Sequence, residues 1–169
     1  VGVGAGRYFI SLIGVGFPAL VASQANKMRR VHGPLTFFLS VYRAVLRMKA
    51  HPVRIELDDQ ELSVRSTSIL IQNTPYTGGG LLMAPHAEMD DGFLDIVVVG
   101  DIGRLDLMLN FPRVYRGTHL NHSKFSGYRS RRVKIESESP LEIILDGDLM
   151  GTVPLSASVL QRALKVRVS

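Results

Sequence analysis

The sequence predicts a mainly β, α+β fold: an antiparallel β-sandwich with two or three attached helices. From residue 51 onward, apolar residues often recur with a period of two, as in strands that bury one face. Within residues 35–46 they recur at three and four, the spacing of helices. Turn-forming residues separate the short apolar runs every ~8–12 residues, which is typical of sandwiches.

The composition indicates one folded domain. The chain has 169 residues, of which 46% are hydrophobic and 21% charged, enough to bury a core and too apolar for a disordered chain. It contains no cysteine, which excludes a disulfide scaffold, a thiol nucleophile and a Cys-ligated zinc site. The net charge of +5 favours anionic partners, either nucleic acid or an acidic membrane surface.

The mean hydropathy of +0.15 is high, so membrane spans and leaders need to be considered. No run of about 18 apolar residues occurs in the sequence. The N-terminus also lacks the charged start and long apolar run of a signal peptide. We therefore expect a soluble chain whose extra apolar residues line a cleft or an interface.

The first third of the chain is predicted to be partly helical. Residues 1–6 are glycine-rich and suggest a linker, and residues 7–17 suggest a strand. Pro18 suits the first turn of a helix over residues 19–30, which ends in basic residues. Gly33-Pro34 starts a second helix with an apolar stripe.

The rest of the chain is predicted to be mostly strands. Residues 53–57 and 62–65 form a hairpin around Asp59-Gln60, and residues 105–115 have helical spacing. Further strands are expected over residues 68–73, 81–84, 94–99, 132–136, 141–145, 152–155 and 164–168.

The first candidate site is the acidic segment from Glu88 to Asp95. It carries four carboxylates within eight residues, at a glycine-bearing turn before a buried strand. Such a turn could hold a hard cation such as Mg²⁺, which keeps several waters and needs few protein oxygens. A solvated acidic turn between strands is the alternative interpretation.

Two further turns are candidates. Asp146-Gly147-Asp148 follows an apolar strand and is a strong hairpin signal, but one of its carboxylates could act as a general base. The segment from Asn73 to Gly80 ends in three glycines, which let backbone amides approach a phosphate or another ligand. The alternative is a plain loop between two strands, which the local sequence favours.

Other patterns are less informative. The Gly2-Val3-Gly4-Ala5-Gly6 run lacks the strand and helix of a dinucleotide site. His119 and His122 have no obvious third metal ligand. The basic run Arg129, Arg131, Arg132, Lys134 could meet phosphates or form an exposed strand face. It lacks the interleaved aromatic residues of a nucleic-acid surface, so we expect no nucleic-acid partner.

Several short motifs together resemble the C-terminal, second domain of the diacylglycerol kinase, sphingosine kinase and bacterial lipid kinase superfamily. The resemblance spans nearly the whole chain and depends on the order and spacing of the motifs. They are Tyr8-Phe9-Ile10, Gly14-Val15-Gly16-Phe17, Asn73 with Gly78-Gly79-Gly80, Pro85-His86-Ala87, Asp91-Gly92-Phe93-Leu94-Asp95-Ile96, Gly117-Thr118-His119 and Leu145-Asp146-Gly147-Asp148.

The resemblance implies a two-domain kinase that moves the γ-phosphate of ATP to a lipid hydroxyl, such as that of diacylglycerol. The Gly-Gly-Asp-Gly-Thr loop of the N-terminal ATP-binding domain is absent from this sequence. Residues 1–169 would then be a single β-sandwich domain that binds the lipid, supplies the catalytic base and is inactive alone. The alternative is a non-catalytic module that binds a lipid or a membrane surface.

The resemblance also implies site residues. Asp148 matches the general base, although the family usually has Glu there. Asp91 matches the side-chain ligand of a structural Mg²⁺, with backbone carbonyls of Glu88 and Phe93 completing the protein ligands. Asp95 would support the ion from behind or through waters, and Asp146 is the alternative carboxylate for the base.

The implied partners are ATP as co-substrate, the protein's own ATP-binding domain and a lipid at a membrane surface. The residues that contact the lipid cannot be assigned from the sequence. We expect a cytoplasmic protein at the periphery of the membrane. An apolar edge strand could also mediate a homodimer.

Overall fold

The computed structural model describes residues 1–27 and 34–164. Three α-helices occur there: α1 (Phe17–Lys27), α2 (Pro34–Arg47) and α3 (Arg104–Tyr115). The strands of the same part are β1 (Gly2–Gly4), β2 (Arg7–Phe9), β3 (Leu12–Gly16), β4 (His51–Leu57), β5 (Glu61–Gln72), β6 (Tyr76–Thr77), β7 (Leu81–Leu82), β8 (Leu94–Gly100), β9 (Phe125–Ser130), β10 (Arg132–Glu136), β11 (Glu142–Leu145), β12 (Asp148–Thr152) and β13 (Leu155–Val159).

Eleven strands form one curled antiparallel sheet. Their order is β12-β11-β3-β5-β4-β10-β13-β1-β2, with β8 paired to β5 and β9, while β6 and β7 pair separately. Strand β5 links the two halves of this sheet, because its first half pairs with β4 and its second half pairs with β3 and β8. The result is a half-barrel, and the predicted antiparallel, sandwich-like fold with attached helices is confirmed.

Two apolar clusters lie on opposite faces of β5. Ile69 and Ile71 belong to the larger cluster enclosed by the curled sheet, whereas Leu70 belongs to a second cluster beneath α2 and α3. Successive side chains of a strand point to opposite faces, so a strand covered on both sides is apolar throughout. This explains why residues 69–71 and 96–99 are continuous apolar runs.

The helices lie on one side of this sheet. Helix α1 begins at Phe17, with Pro18 in its first turn, where a missing N–H costs nothing. It packs on β3, β5 and β11 and contacts α2. No helix within residues 1–27 and 34–164 is long and apolar enough to cross a membrane.

The predicted boundaries were wrong near the N-terminal end of the chain. Residues 1–6 were expected to be a linker, but Gly2–Gly4 pairs with β2 on one side and β13 on the other. The strand expected over residues 7–17 is two strands, separated at Ile10-Ser11. Local patterns miss such features because pairing partners distant in the sequence create them.

Three other strand predictions needed correction. The two strands expected over residues 62–65 and 68–73 are one strand, β5, which ends at Gln72 and whose pairing register with β8 shifts between Ser66 and Ser68. The strand expected over residues 152–155 is interrupted by the Val153-Pro154 cis peptide, which separates β12 from β13. Strand β9 was not predicted, and the strand expected over 164–168 extends beyond the described residues.

Candidate functional site

An apolar cavity of about 410 Å³ lies between the helices and the sheet. Its volume is in the range of small-molecule sites. Helices α1 and α3 form one wall, β3, β5 and β8 form another, and α2 contributes Val41. Typical lining side chains are Phe17, Leu70, Met83, Val99, Leu107 and Phe111.

The polar end of this cavity joins two segments that are far apart in the sequence. Thr77 and Gly78 come from the glycine-rich segment, and Asp146 and Gly147 come from the turn after β11. Gly78, Asp146 and Gly147 are exposed, so they mark the open end. The structure therefore brings two of the three candidate turns to the mouth of one apolar cavity.

Asp146 holds the segment between β2 and β3. Its carboxylate accepts backbone N–H groups from Ile10 at 2.7 Å, Ser11 at 2.9 Å and Leu12 at 2.9 Å. Its own N–H donates to the Leu12 carbonyl at 3.0 Å. Both oxygens of this carboxylate are thus engaged by the backbone, which gives Asp146 a structural role.

Asp148 is placed differently. Asp146 and Gly147 have φ angles of 47° and 103°, the left-handed conformation of a two-residue hairpin turn, and Asp148 follows as the first residue of β12. Its side chain is exposed. It makes no hydrogen bond or ion pair with the described residues, so its carboxylate is available one residue beyond Gly147 at the cavity mouth.

In the acidic segment, Arg129 lies close to Asp91 and Asp95. One oxygen of Asp91 accepts the Phe93 N–H at 2.8 Å, and the other contacts the Arg129 guanidinium. Arg129 Nε also lies 3.8 Å from Oδ1 of Asp95, whose Oδ2 is buried and has no partner. Burial raises the pKa of the Asp95 carboxyl, and the Arg129 guanidinium opposes that rise.

The predicted Mg²⁺ ligands have suitable chemistry, since carboxylate and carbonyl oxygens suit a hard cation. Asp91 already shares its carboxylate with Arg129, and the Glu88 side chain is exposed. No group of three or more His, Asp or Glu side chains within the described ranges could hold a metal. The predicted site does not need such a group, because it combines the Asp91 side chain with two backbone carbonyls. The Mg²⁺ site therefore stays a prediction.

His119 and His122 do not form a metal pair. His119 is fully buried, and its Nε2 lies 3.0 Å from the carbonyl oxygen of the cavity residue Met83. Burial lowers the pKa of His119. His122 instead lies 3.2 Å from Asp106. His119 therefore supports one wall of the cavity.

The basic run on β9 and β10 is largely occupied within the protein. Arg129 contacts Asp91, and Lys134 Nζ lies 2.7 Å from Glu136. The guanidinium groups of Arg129 and Arg131 also lie about 5 Å from the Phe93 ring centre, at 4.9 and 5.0 Å. These contacts agree with the interpretation of this run as a strand face.

The walls of the cavity were not identified from the sequence. They come from three helices and seven strands, and each element contributes only a few residues that look like ordinary core positions. Ala22 and Ala25 of α1 are the one local signal, because small residues on the inner side of a helix leave space.

The fold and the cavity define a β-sandwich-like domain with an apolar pocket beside a carboxylate-bearing turn. Residues 11–168 match the family model described as the YegS C-terminal NAD kinase beta sandwich-like domain. The chain therefore belongs to this family, which is a C-terminal domain of diacylglycerol kinase-like proteins.

Named relatives agree with this assignment. A diacylglycerol kinase of Mycobacterium tuberculosis is 31% identical over 161 residues, covering 95% of this chain and 52% of that protein. The diacylglycerol kinase of Staphylococcus epidermidis is 26% identical over 161 residues, covering 95% and 51%. The chain thus spans about half the length of these relatives.

Solved structures share the fold. A diacylglycerol kinase structure from Bacillus anthracis superposes with a TM-score of 0.62 at 18% identity, covering 95% of this chain and 50% of that one. A second solved chain from the same organism gives a TM-score of 0.72 at 24% identity, covering 95% and 53%.

Proposed function

We propose that this chain is the lipid-acceptor and catalytic-base domain of an ATP-dependent lipid kinase whose substrate is a diacylglycerol-like alcohol. The observation that carries the proposal is the apolar cavity that opens beside the Asp146–Asp148 turn. An acyl chain fits its apolar walls, and the lipid hydroxyl would then lie at the polar mouth. The names of the relatives support the choice of a kinase.

In the proposed reaction, Asp148 accepts the proton of the lipid hydroxyl. The hydroxyl oxygen forms a bond to the γ-phosphorus of ATP, and the bond from that phosphorus to the bridging oxygen of the ADP leaving group breaks. The open carboxylate of Asp148 favours it over Asp146, whose oxygens already accept three backbone N–H groups. The ATP-binding half would be supplied by another part of the parent protein.

Mg²⁺ belongs to the proposal as a structural ion near the acidic segment. Asp91 would hold it together with the carbonyls of Glu88 and Phe93. Asp95 would not touch the ion but would contact its ligands or its waters. Bound there, the ion would supply positive charge that orders the segment. The proposed role of the ion is structural, and no step of the proposed reaction takes place on it.

The proposal is tested first by filling the cavity. Ala22→Trp adds a large ring to the lining of α1, and overfilling should weaken the binding of a fluorescent acyl probe to this chain by about tenfold or more. Asn26→Trp, on the exposed side of the same helix, is the matched control. If Ala22→Trp is folded and binds the probe as wild type does, the cavity is not the lipid site.

A non-catalytic lipid-binding module is the second candidate. It is favoured by the aspartate at position 148, whose side chain is one methylene shorter than the usual glutamate. Probe binding without any phosphorylation by the full-length parent protein would support this alternative.

A further inference from the structure

Helix α3 has an inner face that belongs to the cavity. Leu107, Phe111 and Val114 recur at four and three, which places them on one side of the helix, and all three line the cavity. A helix that packs only through this face would normally present polar residues on its opposite side.

The outer face of α3 is apolar instead. Leu105, Met108, Leu109 and Pro112 are spaced i, i+3, i+4 and i+7 and form one stripe on the side away from the cavity. Leu105 is 77% exposed, Met108 48% and Leu109 80%. A short helix that is apolar on both sides usually buries both, so the outer stripe indicates an external partner.

The charges around this stripe have one sign. Arg104, Arg113 and Arg116 are exposed near the two ends of the helix, and none of them forms an ion pair with a described residue. The one acidic residue of α3, Asp106, accepts a bond from the Asn110 amide at 2.7 Å and lies beside His122. The outer face therefore combines exposed leucines with guanidinium groups that have no carboxylate partner.

We propose that the outer face of α3 is the surface by which this chain lies on an anionic lipid bilayer. The inference deepens the proposed function, on which it rests, by naming the membrane-contacting element. Leucines can enter the headgroup boundary while neighbouring arginines meet lipid phosphates. Because the inner face of α3 is a cavity wall, this orientation sets the cavity next to the bilayer from which its lipid would come.

The expected contribution of each side chain to vesicle binding follows from the apolar area that it buries or from its charge. Full burial of one leucine is worth at least about a tenfold change in affinity. One basic residue near an anionic membrane surface is worth about a fivefold change. The double variants Leu105→Ser/Leu109→Ser and Arg104→Glu/Arg113→Glu should therefore each weaken vesicle binding by about tenfold or more.

The first experiment is sedimentation with vesicles. Wild type should bind vesicles of phosphatidylcholine with phosphatidylglycerol, bind phosphatidylcholine alone more weakly, and be released by salt. Tyr8→Ser, an exposed aromatic residue on the edge strand β2, controls for lost apolar surface. Arg132→Glu, an exposed arginine on β10, controls for charge reversal. Binding equal to wild type in both α3 double variants would overturn the proposal.

The second experiment gives a positive signal that does not depend on losing binding. The chain has no cysteine, so Leu109→Cys and Tyr8→Cys can each carry a single polarity-sensitive dye. We expect the dye at position 109 to become brighter on anionic vesicles, with little change at position 8. The reverse pattern, or no change at 109 while the protein is bound, contradicts docking through α3.

The two proposals can fail separately. Binding of the acyl probe without vesicle binding would leave the cavity function intact and overturn the membrane surface. A second copy of the chain could also cover the stripe. If wild type is a dimer in solution and the Leu105→Ser/Leu109→Ser variant is a monomer, the stripe is a dimer interface and the membrane proposal is overturned. Vesicle binding through α3 without binding of the acyl probe would instead overturn the proposal that the cavity holds the lipid acceptor.

Discussion

Oδ1 of Asp146 lies 2.9 Å from the backbone nitrogen of Ser11, which ties the turn after β11 to the connection between β2 and β3. Asn73 holds the same connection from another side, because its amide donates to the Ile10 carbonyl at 2.8 Å. Ser11 also lines the cavity. The rim of the candidate site is thus held by a carboxylate and an amide that are distant in the sequence.

Replacing Asp146 with alanine should destabilise the protein. Three backbone N–H groups lose a charged acceptor, although they can turn to water because the site is exposed, so we expect a loss of ~1–2 kcal/mol. Urea unfolding measures the loss. The stability of Asp146→Asn, which keeps one carbonyl oxygen, should fall between those of wild type and Asp146→Ala. Unchanged stability of Asp146→Ala would show that the contact is dispensable.

Replacing Asp148 with alanine should affect catalysis without affecting folding. A general base contributes about 10²–10⁴-fold, so lipid phosphorylation by the full-length parent should drop by that factor. The urea midpoint should stay near that of wild type, because Asp148 is exposed.

Two further variants sharpen this test. Asp148→Glu should retain activity, since glutamate is usual at this position in the family that the sequence resembles. Glu142→Ala removes an exposed carboxylate from the neighbouring strand β11 and should leave the rate unchanged. A folded Asp148→Ala variant with full activity would rule out this residue as the base.

Magnesium should stabilise the wild-type chain if Asp91 binds it. Binding to the folded state alone raises the free energy of unfolding with ligand concentration, so thermal unfolding should shift upward with Mg²⁺ and return with a chelator. Asp91→Asn should remove the response, while Asp101→Asn, an exposed aspartate after β8, should keep it. A Mg²⁺ response of equal size in Asp91→Asn would place the ion elsewhere.

His119 should make stability depend on pH. Its pKa in the folded chain is lowered by burial from 6.5, so below that pH the unfolded chain binds a proton that the folded chain resists. The free energy of unfolding should therefore fall as the pH drops below 6.5, until the lowered pKa is reached.

The variant His119→Gln can still donate to the Met83 carbonyl but does not titrate, so its pH profile should be flatter in that range. His86→Gln, at an exposed position, is the control. Urea unfolding at several pH values measures both slopes. Parallel profiles for wild type and His119→Gln would mean that another group carries the pH dependence.

Much of the fold was predictable because local patterns carry it. The alternation of Val53, Ile55 and Leu57 and the turn at Asp59-Gln60 define the β4–β5 hairpin, and Pro18 lies in the first turn of α1 as expected. The division of residues 7–17 into two strands was not predictable, since it depends on the hydrogen bonds of Asp146 and Asn73.

The sequence by itself determined the β-rich class, the family resemblance and the candidate carboxylates at Asp91 and Asp148, since turn chemistry and periodicity act over a few residues. Only the tertiary structure decided which turns share a site. It joined Gly78 to Gly147 at one cavity, engaged Asp146 with the backbone and left leucines exposed on α3. These features depend on strand order and on helices packing over a curled sheet, and such long-range contacts have no local signature.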